Sequence, residues 1–282
     1  MATETLTLQS TVKLSSGYEI PRFGFGVAYG FGKAEDPLEL TVPGVLEALK
    51  VGYRHIDSAQ LYRNEREVGQ ALRKSGIKRE DVYITSKVPE DGDPIASVDA
   101  SLKAFQFDYI DLYLIHSPPP GKENRLKLWK ALLETKNQGK IRSAGVSNFG
   151  IHHLEEIREA GLEIPSVNQI ELQPFCQQRP IVEYCSKHNI AVQAYCPVIR
   201  GRMDDPVIVD IAKKHNKEPA QVLLRWSLQH DLIPLVRSSN PARILSNSQV
   251  YDFELDENDM KRLDALDRGD EGAISWNPIH VQ

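Results

Sequence analysis

A closed (β/α)8 barrel is the fold predicted for this chain, on three observations. Eight short apolar runs rich in β-branched residues recur along the 282 residues. Helical patterning alternates with them throughout. No linker interrupts the rhythm, although 18 glycines and 17 prolines are spread through the chain. Strands that are apolar on both faces belong to parallel sheets covered by helices. Unbroken β–α alternation then favours closure into a barrel, with a doubly wound open sheet as the competing architecture. A single domain over 1–282 is the expectation.

In chain order, the segment "TLTLQSTVKLSSGYEI" alternates and carries a Ser-Gly turn, which predicts a hairpin ahead of the first strand, placed as a lid on the barrel floor. The eight strands are expected at 22–27, 53–57, 82–88, 109–116, 141–147, 166–171, 191–196 and 232–237. Helices are expected at 42–51, 64–75, 94–105, 123–138, 150–160, 177–188, 205–215 and 240–248. A further helix is expected at 219–230, with Pro219 favourable in its first turn. The tail adds a short helix at 256–266 and then an irregular segment.

Composition excludes several classes of function. Hydrophobic residues at 41% and charged residues at 26% are globular proportions. A net charge of −5 argues against a nucleic-acid partner, which would call for a basic face. No apolar run of about 18 residues could span a bilayer, and the N-terminus carries no apolar signal core. Cys176, Cys185 and Cys196 form neither a disulfide framework nor a zinc pattern, which fits a reducing, cytoplasmic setting.

A barrel places its chemistry at the C-terminal ends of its strands. Strand two ends on Asp57, strand three on Lys87 and strand four on His116. With neighbouring strands about 4.8 Å apart, the three converge at one mouth. Tyr62, on the loop after Asp57, can fold back over the same place. Taken singly, each reads equally well as a solvated strand end or a satisfied buried group. Together they form a tuned acid. A free phenol, with a pKa near 10, donates its proton poorly at neutral pH, and a neighbouring ammonium lowers that pKa. Asp57 would hold Lys87 as an ion pair, and His116 would orient a substrate oxygen.

The ordered motifs "GYRHIDSAQLYRNEREVG", "YITSKV", "DLYLIH" and "GVSNF" resemble those of the aldo-keto reductases, over most of the chain. The resemblance implies a microbial or fungal type of NADPH-dependent carbonyl reductase, monomeric, with NADH a weaker second cofactor and a small-molecule carbonyl as substrate. Asp57, Tyr62, Lys87 and His116 match the family's catalytic tetrad, with Tyr62 the acid. A non-catalytic, cofactor-binding redox sensor on the same fold is the alternative.

The resemblance also carries the cofactor site. Ser147, Asn148 and Gln169 would bond the nicotinamide carboxamide, and Tyr195 would stack on its ring. Arg237, Ser238, Arg243 and Asn247 would surround the adenosine phosphate, since loops after the last barrel strands often bind phosphate and guanidinium matches its oxygens. Arg237 stands where relatives commonly have Lys, and Ser246 where they have Glu. The run "GFGVAYG" lacks G-x-G-x-x-G spacing, with Tyr29 at the third glycine's place, and reads as a barrel strand. Relatives line the substrate pocket with tryptophans where this chain has Ala28, Pro89 and Ser117. A wider, less aromatic pocket follows, with Tyr29 and Trp276 as replacement walls. His152 and Glu156 are too few to hold a metal, and His152 and His153 read as a solvated face. The proline-rich 116–125 reads as a rigid loop over the mouth.

Overall fold

The computed structural model describes residues 6–29 and 38–282. Thr5 of the expected hairpin and Gly30 of the "GFGVAYG" run lie outside them. The N-terminal hairpin pairs β1 (Thr11–Lys13) with β2 (Glu19–Pro21), Val12 opposite Ile20. The barrel strands are β3 (Gly24–Gly26), β4 (His55–Asp57), β5 (Tyr83–Val88), β6 (Ile110–Ile115), β7 (Ile141–Ser147), β8 (Val167–Glu171), β9 (Ala191–Tyr195) and β10 (Ile233–Val236). They close in the order β10-β3-β4-β5-β6-β7-β8-β9, every pairing parallel.

Helices α1 (Thr41–Val51), α2 (Glu65–Ser75), α3 (Pro94–Phe105), α4 (Lys122–Asn137), α5 (Ile151–Glu159) and α6 (Arg179–Lys187) follow successive strands. Between β9 and β10 come α7 (Pro206–His215) and α8 (Pro219–Gln229), the second being the additional helix with Pro219 at its start. Helices α9 (Pro241–Ser248) and α10 (Glu257–Asp264) complete the chain, and Trp226 Nε1 donates to Asp264 Oδ1 at 2.8 Å to tie α8 to α10.

Two layers of burial hold this arrangement. Every residue of β5 and β6 is buried, as strands covered on both faces must be. The larger apolar cluster, with Phe25, Ile56, Val45 and Trp129, lies between barrel and helices. A smaller one closes the floor, where Leu14 and Ile20 of the hairpin pack on Tyr83, Leu112, Leu114 and Val167. The hairpin is thus the expected lid. Helix α2 meets the end of α3 closely, since a Cβ on Gly69 would come 2.2 Å from the Phe105 carbonyl oxygen. Any larger residue there would force the two helices apart.

Two expectations shift. The second strand begins at His55 rather than residue 53, because the Tyr53 amide bonds Ala48 O at 3.0 Å and closes α1 past a left-handed Gly52. His153 is not on a solvated face. It is fully buried against Phe149; its Nδ1 accepts from Gly150 N at 3.0 Å, and its Nε2 meets Val281 O at 2.6 Å. Adjacent helix positions point in different directions, so only His152 stays exposed. Burial pushes the His153 pKa down to about 4. The C-terminal tail is what covers it, and Gly121 N donates to Gln282 O at 2.8 Å to bring the proline-rich loop into the same junction.

Candidate active site

Barrel register sets the mouth. Gly26 pairs with Asp57 and Asp57 with Thr85, while Ser147 pairs with Gln169 and Gln169 with Gln193. Polar side chains at these C-terminal strand ends therefore point into one space. A cavity of about 350 Å³ opens there, bounded by Asp57, Tyr62, His116, Asn148, Tyr195 and Trp276 among others.

At its base, Lys87 Nζ donates to Asp57 Oδ1 at 2.6 Å and to Ser58 O at 2.8 Å, both partners buried. The ammonium sits 5.1 Å from the centroid of the Tyr62 ring. Tyr62 closes a single 3-10 turn, Gln60–Tyr62, and its ring meets His116 edge-on at 5.7 Å between centroids. Asp57, Lys87 and His116 from the strand ends and Tyr62 from the following turn come together here, as expected.

The electrostatics differ from the expectation in one respect. The Tyr62 phenol is not pulled down by Lys87; burial, then the negative charge of Asp57, pushes its pKa well above the ordinary tyrosine range. The cation is neutralised by Asp57, so desolvation prevails. Burial likewise lowers the Lys87 pKa, against the pull of Asp57. His116 is driven down to about 3 by burial and then by the Lys87 charge, and is neutral at physiological pH. The mouth thus holds a protonated phenol beside a neutral imidazole.

A polar chain continues into the barrel. Gln169 Nε2 donates to Asp57 Oδ2 and to Gln193 Oε1, both at 2.9 Å. Gln193 reaches His55, which bonds Thr85 Oγ1 at 3.1 Å. Burial lowers His55 to about 4. Both amide hydrogens of Gln169 are engaged within the protein, so its carbonyl oxygen is what it can offer a ligand. Asn148, at a left-handed φ of 62°, donates to His116 O and Ser147 Oγ and accepts from Tyr195 Oη at 2.9 Å. Ser147 Oγ donates to Gln169 O at 2.8 Å.

At the other end of the cavity stand Arg237, Ser238, Arg243 and Asn247. Both arginines are exposed, and neither has an ion pair among the described residues. The Asn240 side chain caps α9 by accepting from Ala242 N and Arg243 N, so the guanidinia rather than the helix end carry the free positive charge. Two unpaired guanidinia suit a phosphate.

Of the expected pocket residues, Ala28 and Trp276 line the cavity, while Tyr29, Pro89 and Ser117 are not among its lining residues. Tyr29 Oη donates instead to Ser238 O at 3.2 Å, with Arg237 stacked 5.7 Å from its ring. Buried Ser117 donates to Glu90 Oε2 at 2.9 Å. Sequence reasoning missed Leu61, Cys196, Arg200, Met203 and Ser275, which also line the cavity, and Glu171 behind them. Most of them sit on turns and loops outside the strands, Glu171 ends β8, and no local spacing signals that the tail brings Ser275 beside them.

Comparison with known proteins agrees with this geometry. Residues 24–268 match the aldo/keto reductase family model. The chain is 42% identical over 277 residues to the glyoxal reductase of Bacillus subtilis, covering 96% of this chain and 97% of that protein. It is 42% identical over 263 residues to the 9,11-endoperoxide prostaglandin H2 reductase of Trypanosoma cruzi, covering 90% of each. Among solved structures, an aldo-keto reductase from a Medee basin deep-sea metagenome superposes with a TM-score of 0.88 at 36% identity, covering 97% of this chain and 100% of that one. A Bombyx mori aldo-keto reductase in complex with NADP gives 0.85 at 31% identity, covering 93% and 94%. The barrel, its mouth and these relatives together show that the chain belongs to the aldo/keto reductase family and is an NAD(P)H-dependent oxidoreductase.

Proposed function

We propose that this chain, acting as one domain, reduces a ketone or aldehyde carbonyl to an alcohol with NADPH, and that Tyr62 is the general acid. The observation that carries this reading is the protonated Tyr62 phenol, set over the buried Lys87–Asp57 pair and beside a neutral His116, at the base of a cavity with two unpaired guanidinia at its far end. Bound NADPH supplies the hydride, delivered to the carbonyl carbon. Tyr62 Oη gives its proton to the carbonyl oxygen as the C=O π bond breaks, and solvent returns a proton to the phenolate. A raised phenol pKa keeps the acid protonated until the carbonyl oxygen gains charge. Lys87 stabilises the phenolate as it forms, Asp57 holds Lys87, and His116 hydrogen-bonds the carbonyl oxygen.

Ser147, Asn148 and the Gln169 carbonyl would hold the carboxamide, with Tyr195 against the ring. Arg237 and Arg243, with Ser238 and Asn247, would take the 2′-phosphate, which favours NADPH over NADH. Relatives named glyoxal reductase, and methylglyoxal reductase in Escherichia coli at 38% identity, support an α-dicarbonyl among the substrates. The test is NADPH oxidation with a panel of dicarbonyls, aldehydes and ketones. Tyr62→Phe should lower kcat on the order of 10²-fold or more while leaving cofactor affinity little changed. Near-normal turnover by that variant would remove Tyr62 from the mechanism.

A further inference from the structure

Glu171, the last residue of β8, is fully buried and lies next to Tyr195 in the barrel register. Its two oxygens accept the backbone N–H groups of Ile274 and Ser275, at 2.7 and 2.9 Å, and Oε1 also accepts from Gln173 Nε2 at a longer 3.3 Å. One residue further on, Trp276 O lies 3.0 Å from Tyr195 Oη, whose single hydrogen is shared between it and Asn148 Oδ1. Arg200 Nη2 donates to Ser275 Oγ at 2.9 Å from the loop after β9. The tail is held again beyond this point, at Val281 by His153 and at Gln282 by Gly121. Between the two anchorages Trp276 lines the cavity and is 56% exposed. Residues 273–282 therefore form a strap across the mouth, and at its end nearest the cavity one carboxylate receives two successive backbone N–H groups, beside single contacts from Arg200, Tyr195 and, at Gly272, Gln173.

We propose that Glu171 is a positioning residue which, by fixing residues 273–276, sets the Trp276 wall and hence the size of the substituent admitted beside the carbonyl. This rests on the carbonyl-reductase reading. The number of acceptor oxygens matters. Two convergent N–H donors need two acceptor oxygens, and an amide in the same place offers one oxygen and turns an NH2 toward the other donor. Glu171→Gln keeps the volume, removes one of the two anchoring bonds and leaves the cavity's own side chains in place.

The experiment compares glyoxal with phenylglyoxal in wild type, Glu171→Gln, Trp276→Ala and the double variant. Glu171→Gln should change the ratio of the two KM values by about tenfold, the scale of one lost hydrogen bond to a charged group. Its kcat with glyoxal and its NADPH affinity should be retained. In the double variant the two ratio changes should fail to add, because both act through one wall. Trp129 and Trp226 are buried, so iodide reports on Trp276, and its quenching should rise in Glu171→Gln. An unchanged KM ratio, additive changes, or an equal loss of kcat on both substrates with a lowered melting temperature would overturn the assignment. If wild type reduces neither compound nor any other carbonyl, the reductase reading fails by itself. Unchanged quenching in Glu171→Gln would then overturn the strap separately.

Discussion

Asp57 at the mouth and Asp111 near the floor are both buried carboxylates of the barrel that hold cations, and only Asp57 borders the cavity. Asp111 accepts from Arg79 Nη2 at 2.6 Å, Arg142 Nη1 at 3.0 Å and Ile84 N at 2.9 Å. Its cations lie against aromatic rings, Arg79 against Phe107 and Tyr109 and Arg142 against Tyr109. Asp57 has one cation, Lys87, and an amide from Gln169. The two are almost equally buried, at 4% and 3% exposure. A buried ion pair is therefore not the signature of the site. At the mouth, the pair adjoins a titratable phenol and a cavity. At the floor, it joins β5, β6 and β7 and is capped by rings.

Breaking each pair should give different results. Lys87→Met should reduce kcat on the order of 10²-fold or more and also cost about 3 kcal/mol, because it strands Asp57 in the interior. Turnover together with urea denaturation checks both halves; wild-type turnover in this variant would separate Lys87 from the chemistry. Asp111→Asn should cost about 1–3 kcal/mol, since its arginines reach solvent, and leave turnover per folded molecule unchanged. A fall in kcat at constant stability would mean that the floor couples to the mouth.

The exposed cations beyond the mouth sharpen the contrast. Arg237→Ala should weaken NADPH about 10- to 150-fold through the loss of a charge-assisted contact and leave NADH almost unaffected. Fluorescence titration of both cofactors at fixed salt decides it. Equal loss for both would assign Arg237 to support of the loop, where it already stacks on Tyr29.

The smallest effect is one of pH. His55 and His116 have pKa values lowered from 6.5 to about 4 and about 3, so the unfolded chain binds more protons in that interval. Stability is fully present above about 6.5 and falls with pH below it, by up to about 1.4 kcal/mol per unit for each imidazole. His55 and His116 belong to the mouth network, while His153 under the tail, also lowered to about 4, adds the same dependence, so His55→Asn should reduce the slope by one imidazole's share and Asp111→Asn should leave these histidines' contribution in place. Urea midpoints between pH 4 and 7 measure it.

What the sequence determined by itself is what repeats or lies close in the chain. Apolar runs alternating with helical stretches specify strands and helices, and closure follows from their unbroken order. Asp57, Lys87 and His116 were legible because each lies within one residue of a strand's C-terminal end, and barrel geometry brings strand ends together without knowledge of any loop. Only the tertiary structure decided what depends on distant segments. His153 is buried because the tail returns to α5; Tyr29 turns to Ser238 rather than into the cavity; Glu171 meets Ile274 and Ser275 across 103 and 104 positions of sequence. The direction of the Tyr62 pKa falls in the same class. Residue types supply the charges, but the balance between a cation, its counter-ion and desolvation depends on burial, which only packing sets.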